Sequence, residues 1–196
     1  MFKKIVCALS IITVLALTGC GKNNDTQNNQ VENNQVENNQ VEETTPVDYA
    51  AQLEEIHTAV KEAYGENYGP NMPYDAQMLA DMFGLTEDMY DVVIAEGPMM
   101  SAKVDTFIAV HPTEGNKEAV VEALNNYRKV QIEDTFQYPA NLSKIQASEV
   151  REMGDYVFFF MLGYTDEMFE TEEEQIAEFQ KLNQIAVDAI EGVLNK

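Results

Sequence analysis

Tyr156 to Leu162 (Tyr-Val-Phe-Phe-Phe-Met-Leu) constrains this chain more than any other stretch. It is apolar on both faces, and it is far too short to cross a bilayer, which takes about 20 residues as a helix. A run of this kind is a central strand covered on both sides. The cover has to come from elsewhere in the chain, so the run predicts helices on both faces of a sheet.

The neighbouring segments supply them. Thr45 to Asp48 (Thr-Pro-Val-Asp) has a threonine cap, a proline at the first helical position and an acid three residues after the cap, which predicts a helix start. Leu53, Ile56, Val60 and Ala63/Tyr64 then recur at helical spacing, and Gly65 stops the run. Gly65 to Pro73 is a loop by composition. Asp75 opens a short helix with Leu79, Met82 and Phe83 inside, Gly84 closes it, and Thr86 to Met89 adds a turn. Tyr90 to Ala95 and Val104 to His111 are rich in β-branched and aromatic residues and read as strands joined through Gly97 and Pro98 in a hairpin. Thr113 to about Thr135 reads as a long helix burying Val120, Ala123, Leu124, Tyr127 and Val130. Pro139 ends any helix before it and holds Tyr138 extended. Ile145 to Glu152 reads as a more polar edge strand, with a turn at Gly154 and Asp155. Thr171 to Glu174 is a capping box leading a helix striped by Ile176, Phe179, Leu182, Ala186, Ile190 and Val193. The order α-α-β-β-α-β-β-α predicts an α+β domain: a mostly antiparallel four-stranded sheet, two hairpins joined by a long helix, with helices packed on it.

The N-terminus predicts an address. Met1 to Lys4 form a short positive region, Ile5 to Leu17 an apolar one, and Leu17 to Cys20 read Leu-Thr-Gly-Cys. That is the lipobox pattern of bacterial lipoprotein signal peptides, in which the cysteine thiol takes a diacylglyceryl group and the chain is cut just before it. A plain secretory signal with a chance cysteine is the alternative. On the lipobox reading residues 1–19 are removed and Cys20 is the lipidation site. Two acyl chains there make a durable anchor, where one short chain holds only marginally. Cys7 leaves with the signal and Cys20 is consumed by lipid, which excludes disulfides, a cysteine nucleophile and cysteine-based metal sites in the mature chain.

Between anchor and domain, Asn-Asn-Gln-Val-Glu occurs three times in tandem from Asn28, Asn33 and Asn38. Its apolar residues are Val31, Val36 and Val41, too few to offset the entropy of ordering, so residues 20–44 are expected to be a disordered tether reaching roughly 25–30 Å. Residues 45–196 suit a single extracytoplasmic domain. From Asp48 onward the chain has 29 acidic and 9 basic residues, a formal charge near −20. Such a surface repels nucleic acid and anionic lipid headgroups. It serves solubility, or it attracts cationic proteins or divalent cations.

Catalytic motifs are missing. There is no Gly-x-Ser-x-Gly, no phosphate-cradling glycine loop, no His-Glu-x-x-His and no alternating Asp/Asn calcium loop. No cofactor, metal site or catalytic residue is predicted. His57, near the apolar face of the first helix, and His111, before Pro112 at a strand end, read as structural or surface histidines ahead of catalysts. Asp166 to Glu178 carries seven acids and no base; acids at a helix N-terminus complement its dipole, and calcium binding is the alternative. The mature domain lacks tryptophan, so Tyr64, Tyr68 and Tyr74 are left as the aromatic side chains that could stack on a sugar or peptide.

Four motifs fall in a family order: Tyr64 to Pro70 (Tyr-Gly-x-x-Tyr-x-Pro), Val104 to Val110, Gln137 to Asn141 (Gln-Tyr-Pro-x-Asn) with Lys144, and Gly154 to Phe159. Over roughly Ala59 to Gly163 the chain resembles bacterial lipoproteins grouped as domain of unknown function 4358. The resemblance implies a lipid-anchored extracytoplasmic domain, mainly from Gram-positive anaerobes, and hence the outer face of the cytoplasmic membrane. It implies no activity and no catalytic residues.

The leading expectation is a non-catalytic binding or accessory module for a protein or envelope component. A small-solute- or cation-binding lipoprotein is the second, and a carboxylate-dependent hydrolase the third. Expected partners are the membrane, through lipid at Cys20, and an extracytoplasmic protein; nucleic acid is excluded. The candidate binding cluster is Tyr138, Asn141 and Lys144 in a segment stiffened by Pro139, with the Tyr68 loop as a neighbour. The alternative is that this segment only closes the preceding helix.

Overall fold

The computed structural model describes residues 47–100, 102–134 and 136–196. The expected signal peptide, Cys20, the expected tether, Thr45 and Pro46 lie outside the described residues. The elements run α1 (Tyr49–Tyr64), β1 (Met72–Pro73), α2 (Ala76–Met78, continued by a π-turn over Leu79–Phe83), β2 (Tyr90–Gly97), β3 (Thr106–Pro112), α3 (Lys117–Glu133), α4 (Leu142–Ala147), β4 (Glu149–Met153), β5 (Tyr156–Met161) and α5 (Glu172–Leu194). They build an α+β domain on one antiparallel sheet of order β1-β2-β3-β5-β4.

The apolar run is β5, buried at every position and flanked by β3 and β4. Side chains alternate across a strand, and the alternation divides the core in two. Phe107 and Ala109 of β3 with Tyr156, Phe158 and Phe160 of β5 meet Leu53, Ile56 and Val60 of α1 and Ala186 and Ile190 of α5. On the opposite face Ile108 and Val110 with Val157, Phe159 and Met161 meet Leu79 and Phe83 of the π-turn, Val120 and Leu124 of α3, and Ile145 of α4. Helices therefore cover both faces.

Local chemistry sets most boundaries. Gly65 ends α1 at φ 54°, and Asp75 accepts from the Met78 amide at 2.8 Å to start α2. Gly84 closes the π-turn in the left-handed region, and Thr171 caps α5 with Glu174 answering as a capping box.

The sheet corrects the sequence reading in several places. It has five strands rather than four: Asn71 N donates to Gly97 O at 2.8 Å and Tyr74 N to Ala95 O at 2.9 Å, which lays Met72–Pro73 along β2 as a short edge. Pro73 cannot donate to a ladder, so this strand has no sequence signal. Helix α1 begins at Tyr49, capped by Asp48, which accepts from Ala51 N at 3.0 Å; Thr45 and Pro46, where its start was expected, lie outside the described residues. The segment 145–147 belongs to a helix, α4, seeded by a 3-10 turn over Pro139–Asn141, and the strand begins only at Glu149. Two apolar residues in so short a segment fit either period. Val130 is 61% exposed and Met82 46% exposed, against the burial expected of both. For Val130 the reason is length. Helix α3 extends about 25 Å at 1.5 Å per residue, whereas β4 and β5 span about 17–20 Å, so its last turns overhang the sheet. On α5, Asn183 and Val187 are buried beside the expected stripe; Asn183 takes the Leu162 amide at 3.1 Å and donates to Ala147 O at 2.9 Å, tying α5 to both neighbours.

Candidate functional site

The chain leaving α1 makes a 3-10 turn over Gly65–Asn67 and turns extended at Tyr68. Two phenols pin it. Tyr64 donates to Leu182 O at 2.6 Å, and Tyr68 donates to Glu96 Oε2 at 3.0 Å. His57 Nε2 lies 3.0 Å from the same carboxylate oxygen, and its ring stacks on Phe107 at 5.6 Å between centroids. Burial first, and the Glu96 charge second, push the Tyr68 phenol well above its usual pKa, so it stays a neutral donor. His57 is thus held in a structural network. Neither Tyr64 nor Tyr74 is an open stacking platform: Tyr64 is buried, and the ring of Tyr74 sits where a side chain on Gly97 would collide with its hydroxyl.

Next to Tyr68, Gly69 lies flat against Asp105, and a Cβ on Gly69 would collide with that carboxylate. Asp105 immediately precedes β3 and receives Lys144 of α4, with Nζ 2.7 Å from Oδ1. Their side chains are only 8% and 11% exposed. Lys144 Nζ also stands 5.3 Å from the centre of the Phe179 ring on α5, a cation–π distance. Around this pair the structure opens a cleft of about 600 Å³. The Glu66–Asn71 segment forms one side, Lys103 and Asp105 the approach to β3, Asn141 and Lys144 another side, and Tyr164, Gln175 and Phe179 the last.

Several of its polar groups are half used. Asn141 Nδ2 donates to Ala102 O at 3.0 Å, and Asn71 Oδ1 accepts from Met99 N at 2.9 Å. Gln175 Oε1 accepts from Ser143 Oγ at 2.8 Å. Each amide keeps its other end free of partners among the described residues.

Three of the four candidate residues, Tyr68, Asn141 and Lys144, therefore line one cleft, while Tyr138, 57% exposed, stands outside its lining. Sequence reading missed Gly69, Asp105, Gln175 and Phe179. Asp105 had a signal: a lone acid just ahead of an apolar strand, in a domain where cations such as Lys144 are few.

Elsewhere, His111 is buried under Tyr49, stacked at 3.6 Å, with Nδ1 3.2 Å from Asp91 Oδ2 but not in hydrogen-bonding geometry. In the acidic run, Glu172, Glu173 and Glu174 occupy the first turn of α5. Among the described residues no three His, Cys, Asp or Glu side chains converge as a metal site would need, and no helix is long and apolar enough to cross a membrane. A second concavity, about 580 Å³, runs between the π-turn and α3 and is walled by Met82, Phe83, Met89, Ala123, Tyr127 and Val130 among others.

The family described as Domain of unknown function (DUF4358) matches residues 63–162, just over half of the chain and nearly the stretch over which the resemblance was expected. The match takes in Tyr68, Asp105, Asn141 and Lys144, and stops short of Gln175 and Phe179. No curated protein and no solved structure matches the chain.

Proposed function

The chain belongs to the Domain of unknown function (DUF4358) family, and we propose that it is a lipid-anchored, extracytoplasmic binding module that recognises an envelope component through the cleft around Lys144 and Asp105. In this reading residues 1–19 are the removed signal, Cys20 carries the lipid, residues 20–44 are the tether, and the domain from residue 45 works at the outer face of the cytoplasmic membrane. The Leu-Thr-Gly-Cys sequence at Leu17 to Cys20 supports the anchor.

One observation carries the binding role: a buried ion pair floors a cleft of about 600 Å³ whose amides are only half satisfied among the described residues. Binding sites are concave, with a few converging polar groups that set orientation. A second reading, capture of a free small solute, is favoured by the cleft volume, which lies within the 300–1,000 Å³ usual for small ligands.

The test uses the full chain in cells. Labelled fatty acid enters the wild type and not Cys20→Ser; label in the variant contradicts the anchor. In-cell crosslinking then yields envelope conjugates that disappear in Lys144→Gln, checked for folding by circular dichroism, and persist in Val130→Ser. Conjugates that survive in the folded Lys144→Gln protein place the partner elsewhere.

A further inference from the structure

We propose that the cleft takes an uncharged, hydroxyl-rich ligand, a short oligosaccharide, seated between Tyr164 at the rim and the Lys144–Asp105 pair at the floor. The inference rests on the cleft being the binding site and narrows what it binds.

Charge comes first. The lining holds two cations, Lys103 and Lys144, and two acids, Glu66 and Asp105. Lys144 is already neutralised at 2.7 Å by Asp105. An anionic ligand would find no net positive charge in the cleft and a domain near −20 around it. A cationic ligand would find no unpaired carboxylate at the floor, where Asp105 is already engaged by Lys144.

Hydrogen bonding comes next. An ammonium has three N–H donors, and among the described residues Lys144 gives one, to Asp105. The backbone fixes two of the amides: Asn71 must turn its oxygen to Met99 N, leaving its NH₂ spare, and Asn141 must turn its nitrogen to Ala102 O, leaving its oxygen spare. Spare donors and spare acceptors thus line one cavity. A hydroxyl both donates and accepts, so a polyol can satisfy both kinds without burying a charge. Aromatic surface completes the fit, because the C–H faces of sugar rings stack on phenol rings, and Tyr164 is 62% exposed on this lining. A peptide is the poorer match. It would be held by a row of backbone groups, as a sheet edge provides, whereas this cleft presents convergent side chains from five separate segments.

Titration calorimetry on the detergent-extracted full chain tests the proposal, with chitotetraose and maltotetraose as uncharged probes and tetra-alanine, glutamate and spermidine as comparisons. At least one oligosaccharide binds saturably at millimolar concentration or below, and the other three do not. Tyr164→Ala, exposed enough to leave the fold intact, weakens that binding about tenfold or more, equivalent to about 1.4 kcal/mol. Lack of saturable binding by either oligosaccharide, tighter binding of a comparison compound, or unchanged affinity in Tyr164→Ala overturns the proposal. The in-cell conjugates tell the two failures apart. If they still depend on Lys144, the ligand class alone is wrong; if they do not, the cleft is not the site.

Discussion

The cleft and the groove are nearly equal in size, about 600 and 580 Å³, and opposite in construction. The groove is what remains where α3 runs past the sheet beside the π-turn. Its walls include Phe83 and Tyr127, which also pack in the core, with Met82 and Val130 exposed at the rim, so core packing accounts for its aromatic floor. The cleft has no such explanation. A buried ion pair contributes little to stability over apolar residues of the same volume, since desolvation offsets the Coulomb attraction. Yet Gly69 is pressed on Asp105, Phe179 backs Lys144, and five separate segments converge there. Stability does not call for the pair; the proposed binding role does.

Breaking the pair is the largest test of that contrast. Lys144→Met leaves Asp105 buried and uncompensated and should cost about 3–5 kcal/mol in urea unfolding, with most of it recovered in Lys144→Met/Asp105→Leu. A single-variant loss below about 1 kcal/mol would make the pair equivalent to a surface ion pair and dissolve the distinction between the two concavities. Gly69→Ala comes second. The added methyl forces the Asp105 carboxylate aside, for an expected loss of about 1–3 kcal/mol; a neutral result means that the loop yields freely and does not position the acid.

Alkaline stability compares the two sites through their phenols. Burial raises the pKa of Tyr68 at the cleft and of Tyr127 at the groove, with Glu96 adding to the rise at Tyr68. A phenol whose folded pKa exceeds its unfolded value near 10 stabilises the fold fully below pH of about 10, and that contribution is lost as pH rises toward the folded value. The urea midpoint should fall above pH of about 10, less steeply in Tyr68→Phe and in Tyr127→Phe, with phenolate absorbance tracking unfolding. Free titration of every tyrosine near pH 10 in the folded protein contradicts this. The smallest effects belong to the groove rim: Met82→Gln and Val130→Ser should each shift stability by no more than about 0.5 kcal/mol, and a larger loss would mean that the groove is covered by something the fold depends on.

How much of this was legible depended on range. Tyr156 to Leu162 announced a doubly covered strand, and Gly65, Asp75, Gly84 and the Thr171 capping box marked ends, because those signals sit within a few residues. Strand β1 was illegible, since two residues ending in proline carry no pattern and only Ala95 and Gly97 across the sheet define it. Helix α4 was misread for want of length. In the site, Asn141, Lys144 and Tyr68 stood out as polar or aromatic groups in stiff loops. The partner of Lys144 is 39 residues away along the chain, and no local pattern links Asp105 to it. Tyr138 shared the segment but not the cleft, because the 3-10 turn at Pro139–Asn141 carries the following residues inward and leaves it behind.

The central claim is that the cleft, and not the groove, meets the ligand. A photo-crosslinking amino acid placed in the full chain at Asn67, exposed on the cleft lining, and separately at Val130, exposed on the groove, tests it in living cells. The account predicts a carbohydrate adduct, identified by mass spectrometry, from position 67 that vanishes when Tyr164→Ala is added, and none from position 130. Adducts from position 130 with position 67 silent would contradict it.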